Sequence, residues 1–336
     1  MLSRTILSVM ALIASGCSAD AVETSVAVQF YSTPQGTQLD GLQLQGTQLQ
    51  HMTMVGFQFS GATLNGSPLV NVRIEHGELV AEQNGSTLHN TGLNGAHLIA
   101  QVHNITTNPV TNATVEFKID AVTAESSTHD PLGTGSTYLY ALSQNVDGTG
   151  AYQTSCGADA DGNHVAIPVA ATWNDHGDRV ESSTLFAFSC TTGVIAKCYR
   201  WGYRPWVTGY GDLVSTHQIC TRVARADYCG IGVSHTHDNT MINVWDNLPS
   251  PGPILHHGTT PTGMVFEAGW STSGAVCLSH QRWANGGLVI AAACPTRLIP
   301  PLGLLPTVCD LESEVLGGSA ARIYNESDLN ANLDVL

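Results

Sequence analysis

The sequence predicts a mainly β protein of the α+β class: a repeat-derived β segment and a β-rich region, followed by a disulfide-rich, β-rich domain with at least one helix. Three observations carry the prediction. Short runs with period-two alternation, among them LQLQ, MTMV and FQFS, recur between turns rich in Gly and Asn. After Cys17, every cysteine falls between Cys156 and Cys309. A single stretch, Asp212 to Cys229, has the pattern of a helix, with Asp212 able to cap its start, Arg222 and Arg225 near its end and Gly230 just past it.

The chain opens MLSRTILSVMALIASGC, with Arg4, a short apolar run and small residues before a cysteine. Residues 1–16 are therefore expected to be a secretory signal, too short to span a membrane. Ala14-Ser15-Gly16-Cys17 resembles a bacterial lipobox, which would make Cys17 an acylated N-terminus, although Ala14 stands where Leu is usual. An ordinary signal peptide cut nearby is the alternative. Ser18 resembles lipoproteins sent to the outer membrane, so the expected address is the cell envelope, or else secreted or periplasmic. The expected partners are the membrane, through that anchor, and another cell-surface component.

Residues 17–35 are expected to be a tether. From Gly36 to residue 80 a five-residue period runs through nine units, with an apolar fourth place at Leu39, Leu44, Leu49, Met54, Phe59, Leu64, Leu69, Ile74 and Leu79. It resembles pentapeptide-repeat solenoids. However, Leu42, Met52, Phe57 and Val72 occupy places that should be small, so a short β segment stacked on the following strands is favoured. Residues 81–148 continue with strand signals such as GELVAEQ, AHLIAQVHNI and ATVEFKIDAV. The turn-dense VDGTGAYQTSCGADADGN marks a boundary near 145–155, and 149–310 is expected to be the cysteine-bearing domain. Within it MVFEAGW and AVCLSHQRW predict a hairpin, GLVIAAACP is either strand or helix, and 311–336 is expected to be an acidic surface tail.

Charge narrows function. Lys and Arg number 12 against 27 Asp and Glu, a net −15. With no basic stripe to neutralise phosphates, nucleic acid is not an expected partner. No cofactor is expected, since neither a phosphate loop nor a dinucleotide fingerprint occurs.

Removing Cys17 leaves Cys156, Cys190, Cys198, Cys220, Cys229, Cys277, Cys294 and Cys309. An even count in an exported chain predicts up to four disulfides with pairing left open. About 100° per residue places Cys220 and Cys229 on opposite sides of the helix, so they should bond to different partners. The segments AKCYRWGYRPW, HQICTR and RADYCGIG, followed by HT and MINVWD, resemble the ADYC domain over roughly residues 150–300. That family comprises largely uncharacterised bacterial extracytoplasmic proteins, and the match at Ala226-Asp227-Tyr228-Cys229 gives it its name. The resemblance brings no activity, substrate or catalytic residue.

Four constellations remain, each with a structural alternative. Cys229, or Cys220 beside His217, would be a thiol nucleophile if reduced, whereas cysteine parity favours disulfides. His235, His237 and Asp238, with His256, His257 or His280, form a weak metal candidate, against scattered hydrogen-bonding histidines. Asp227 with His235 and His237 would serve a hydrolase, with or without a metal; otherwise Asp227 orients backbone. The oxygen-rich turn Asp159 to Asn163 lacks the full calcium-loop spacing. Trp201, Tyr203 and Trp206, crowded with Tyr199, Arg200 and Arg204, are a candidate binding surface for sugar or peptide, or else core packing beside a disulfide. The reading these support is an exported envelope lipoprotein of non-catalytic binding type, with an extracytoplasmic hydrolase as the alternative.

Overall fold

The structure, a computed structural model, describes residues 54–104, 114–134, 137–145, 150–174, 176–236, 240–282, 290, 294 and 321–328. The expected signal peptide and tether, Cys17, the first repeat units, His237, Asp238 and Cys309 lie outside them. The fold is mainly β, with several sheets and two helices among these residues.

The described repeat builds antiparallel strands: β1 (Met54–Leu64), β2 (Ser67–Pro68), β3 (Val70–Glu75) and β4 (Glu78–Gln83), followed by β5 (Ser86–His89). A five-residue period does not divide by two, so one residue per unit must leave the alternation. In β1 the register shifts fall between Met54 and Gly56 and between Phe59 and Gly61, each just after an apolar centre. Further on, the same role passes to two-residue turns at Asn65-Gly66 and His76-Gly77, where both residues have positive φ, as also at Asn84-Gly85. That is the backbone of type I′ hairpins, for which Asn-Gly is the preferred pair. Bulge and turn therefore absorb the odd residue, and Leu64, Leu69 and Leu79 remain buried.

β6 (His97–Asn104), β7 (Thr114–Ala124), β8 (Tyr138–Asn145), β9 (Gln153–Thr154) and β10 (Val165–Val169) follow, then β11 (Ala171–Trp173), β12 (Arg179–Glu181) and β13 (Ala187–Cys190). An eight-stranded antiparallel sheet runs β13-β10-β8-β7-β6-β1-β2, with β9 beside β8. Its two ends meet: Phe57 N–H donates to Phe186 O at 2.7 Å and Phe186 N–H to Phe57 O at 2.9 Å, which curls the sheet into a barrel-like ring. Phe57, Phe117, Phe186 and Phe188 pack edge-on or tilted inside it, the preferred geometry for aromatic rings.

This sheet corrects the boundary expected near 145–155. β10 and β13 lie beyond it and pair into the same sheet as β1 and β6. The described part of the turn-dense run joins this sheet through β9, and Cys156–Cys190 staples it to β13.

α1 (Val194–Arg200) and α2 (Leu213–Arg225) come next, then β14 (Ile242–Asp246), β15 (Met264–Ser271) and β16 (Gly274–Leu278); β15 and β16 form the hairpin expected from the sequence. The remaining strand, β17 (Ile323–Asp328), corrects the surface-tail expectation, since it lies between β14 and β15 in a four-stranded sheet. Its polar side chains have buried partners. Trp270 Nε1–H donates to Asn325 Oδ1 at 2.7 Å and Asn243 Nδ2 to Glu326 at 2.8 Å, so burial leaves those groups hydrogen-bonded. In GLVIAAACP, Cys294 N–H donates to Ile290 O at 2.8 Å, the i to i+4 bond of a helical turn.

Candidate functional site at the signature helix

α2 begins where the sequence places it. Asp212 accepts from Ser215 N–H at 3.0 Å and from Ser215 Oγ, and these bonds hold its carboxyl below the ordinary value. Cys220, on its buried face, bonds to Cys198 at the end of α1. The expected end at Cys229 is corrected, because Ala226 turns left-handed at φ 49 and closes the helix at Arg225. Cys229, already outside the helix, bonds to Cys294.

Each residue of the Ala226 to Cys229 signature holds this end in place. Asp227 accepts from the N–H groups of Ile231 at 3.1 Å and Gly232 at 2.8 Å, and pairs with the buried Arg222 guanidinium. Arg222 also pairs with Asp178 and donates to Thr272 O at 3.2 Å, so it ties α2 to two loops. Tyr228 Oη donates to Glu267 Oε1 at 3.0 Å and accepts from Arg282 N–H at 2.7 Å. Burial pushes the Tyr228 hydroxyl well above its ordinary value.

Arg282 and Glu267 form a bidentate pair at 2.9 and 3.0 Å, wholly buried. Burial pushes Glu267 up, but the Arg282 charge together with hydrogen bonds from Arg282 and Ser327 outweighs it, leaving it below the ordinary value. Arg282 Nη2 also donates to Val223 O at 3.0 Å, satisfying a helix-end carbonyl. The loop after Tyr228 lies backbone to backbone on the β15–β16 turn. A side-chain carbon on Gly274 would sit 2.4 Å from Tyr228 O, so only glycine fits there.

The other candidates are resolved by their partners. The expected disulfides are found and the thiol-nucleophile alternative falls: Cys220 and Cys229 are both bridged, and a bonded sulfur has no thiolate to attack with. His217 is buried with Nε2 at 3.1 Å from Ile195 O, and burial holds it well below its ordinary value. The aromatic surface is corrected too. Trp201 and Tyr203 are in the core beside Cys198–Cys220, and Tyr203 Oη donates to Asp246 at 3.0 Å. Trp206 is half-buried over the β3–β4 turn, within 2.4 Å of where Gly77 would carry a side chain. Arg200 pairs with Glu125 and Asp159, and Arg204 with Asp130, so this run is an internal joint between α1 and the barrel.

His235 is buried, with Nδ1 at 3.1 Å from Ala226 O and Nε2 without a hydrogen-bond partner among the described residues. Burial lowers it from its ordinary value. His257 meets Glu326 and His280 meets Ser327, so these two engage separate partners. Among the described residues no group of three His, Cys, Asp or Glu side chains is placed to hold a metal ion. Asp159 accepts from Asp161 N–H and Asn163 N–H, so its turn is closed by its own backbone.

Two clefts open beside these elements. One, of about 260 Å³, lies between β7 and α1, with Glu125, His129, Asp161 and Arg200 in its walls. The other, of about 380 Å³, lies over the first turns of α2 on a floor of Ile219, Leu248 and Pro249, with Asp212 and Arg322 in its walls. Neither was legible in the sequence, because Leu248, Thr272 and Arg322 come from separate segments.

Cys277 is also disulfide-bonded, which makes every described cysteine oxidised. Such bridges persist in an oxidising compartment outside the cytoplasm. No described helix is long and apolar enough to cross a membrane. The model of the ADYC domain family matches residues 91–284, more than half of the chain. No curated protein and no solved structure matches it.

Proposed function

The chain belongs to the ADYC domain family, and on that premise we propose that it is an exported cell-envelope module, lipidated at Cys17, that binds another surface component without catalysis. The observation that carries this reading is the engagement of the signature. Asp227, Tyr228 and Cys229 are bound respectively to Arg222 and two backbone amides, to Glu267 and Arg282, and to Cys294. Groups so fully engaged act as a scaffold for what surrounds them. The lipobox-like Ala14 to Cys17, followed by Ser18, supports an outer-membrane anchor.

The test is the intact mass of protein from the membrane fraction, alkylated without reduction. A diacyl or triacyl increment with no alkylated cysteine is expected. An unlipidated chain carrying an alkylated Cys229 would overturn the reading.

One observation favours the hydrolase alternative. His235 has its Nδ1 on a backbone carbonyl and an unpartnered Nε2, the orientation of a metal-ligating imidazole. In that reading His237 and Asp238 join it, and bound zinc lost on His237→Ala would establish it.

A further inference from the structure

We propose that the cleft over the first turns of α2 binds a small carboxylate with an aliphatic body, and that Arg322 grips the carboxylate. The inference rests on the reading of this chain as a binding module and names the ligand of one site in it.

Charge balance is the first argument. Carboxylates outnumber cations by 27 to 12, and Arg73, Arg179, Arg200, Arg204, Arg222 and Arg282 each pair with at least one of them. Arg225 is turned inward onto Gly232 O. Arg322 differs from all of these. It is exposed, and among the described residues its guanidinium reaches only Ala321 O, at 3.0 Å, and meets no carboxylate within ion-pair distance. In so acidic a chain, an arginine without a carboxylate at the wall of a cleft has its planar fork available for a carboxylate from outside.

The shape of the cleft is the second. At about 380 Å³ it is near the low end of the roughly 300–1,000 Å³ usual for small-ligand sites, and such sites combine an apolar lining with a few placed polar groups. Ile219 and Leu248 are buried side chains that form its floor with Pro249. Ser215 and Thr272 add hydroxyls to the walls. Asp212 contributes the opposing charge, but its two oxygens already accept from Ser215 N–H and Oγ. The carboxylate is therefore directed toward Arg322 and the aliphatic body toward Ile219 and Leu248.

The element that holds Arg322 is rigid. Arg322 N–H donates to Trp270 O at 2.9 Å and Asn247 N–H to Arg322 O at 3.1 Å, so the backbone that presents the guanidinium is fixed on both sides. The site is assembled from α2, the loop after β14, the β15–β16 turn and the start of β17. Only the folded sheet brings these together.

Calorimetric titration of the full oxidised chain with 4-methylpentanoate and with 4-methylpentanamide tests the proposal, because the two share a body and differ in charge. The acid is expected to bind at least about tenfold more tightly than the amide, the scale of a charge-assisted hydrogen bond. Arg322→Gln, an exposed position, should remove that preference with unchanged thermal unfolding, while Arg73→Gln should leave it intact. A peptide ending in leucine and its C-terminal amide repeat the comparison: preference for the free peptide acid identifies a chain terminus as the source, and binding of the small acid alone identifies a free metabolite. Equal binding of acid and amide, or an unchanged preference in Arg322→Gln, overturns the proposal. If no probe binds while the lipidated chain still retains a surface partner, the proposal falls and the binding-module reading stands.

Discussion

His217 shows how one buried ring couples this fold to pH. It stacks on Tyr199 at 4.2 Å, with Nδ1 unpartnered, and burial together with the Arg179 charge disfavours its protonated form. A base depressed in the folded state binds its proton more readily when unfolded, so folding stability falls as pH drops below the unfolded value of about 6.5. The loss from this group approaches about 1.4 kcal/mol per pH unit below that point. Denaturant unfolding between pH 7 and pH 5 should show a steep slope that His217→Gln makes shallower. An identical slope in the variant would show that His217 is not the coupled group. At this scale the sequence was partly informative. Asp212 as a helix cap follows from local spacing and is found; Cys220 and Cys229 do bond to different partners, but helical spacing is not the reason, since Cys229 lies beyond the helix end at Arg225. The bond from Asp227 to Arg222 does not follow, because the left-handed Ala226 reverses the chain between them. Glu267 and Arg282 were also missed: nothing local relates either to Tyr228, and the contact exists only once β15 is laid against α2.

Among the elements, the barrel seam is the most demanding contact. A side-chain carbon on Gly56 would lie 2.6 Å from Thr172 and 2.9 Å from Phe186 O, inside the two hydrogen bonds that join the ends of the sheet. Gly56→Val should therefore force the seam apart and destabilise the fold by about 2–3 kcal/mol, as overpacking does. Gly61→Ala is the matched control. Its added carbon meets only Ile99, at 3.6 Å, and should change stability by less than about 0.5 kcal/mol. Equal effects in thermal unfolding would mean that the seam is not under steric control. The five-residue period was visible in the sequence and its glycines announced close approach or turning. Whether they served a solenoid or bulged strands was not, since both pack the fourth place of a unit against the core, as Phe59, Leu64, Leu69, Ile74 and Leu79 do. β17 was hidden for another reason. Asn325, Glu326 and Ser327 look solvent-facing until their partners on β14, β15 and the β16 side are counted, and those partners are remote in sequence.

For the whole molecule, the sheets and the disulfides close the family-matched region from both sides. The family match ends at residue 284, but the sheet under α2 is completed by β17, from residues 323–328. The matched region is therefore closed by chain on either side of it: β1 pairs with β6 on one side, and β17 enters between β14 and β15 on the other. β17 is remote in sequence from the strands it joins, and a bridge in the chain between β16 and β17 shortens the loop that leads to it. Cys229–Cys294 fixes the chain after β16 to the end of α2. Cys277, on β16, is bonded as well, and the three described bridges occupy all six other described cysteines. Cys17 and Cys309 are the cysteines that remain. Cys309 is expected to be the partner, because Cys17 is proposed to carry lipid and because a second staple near residue 309 would deliver β17 to its slot. A non-reducing peptide map should recover a Cys277–Cys309 pair, and reduction should destabilise the chain by about 2–4 kcal/mol for each bridge opened. Recovery of Cys277 joined to Cys17 would remove both the staple and the lipid anchor, and with them the envelope address proposed for this chain.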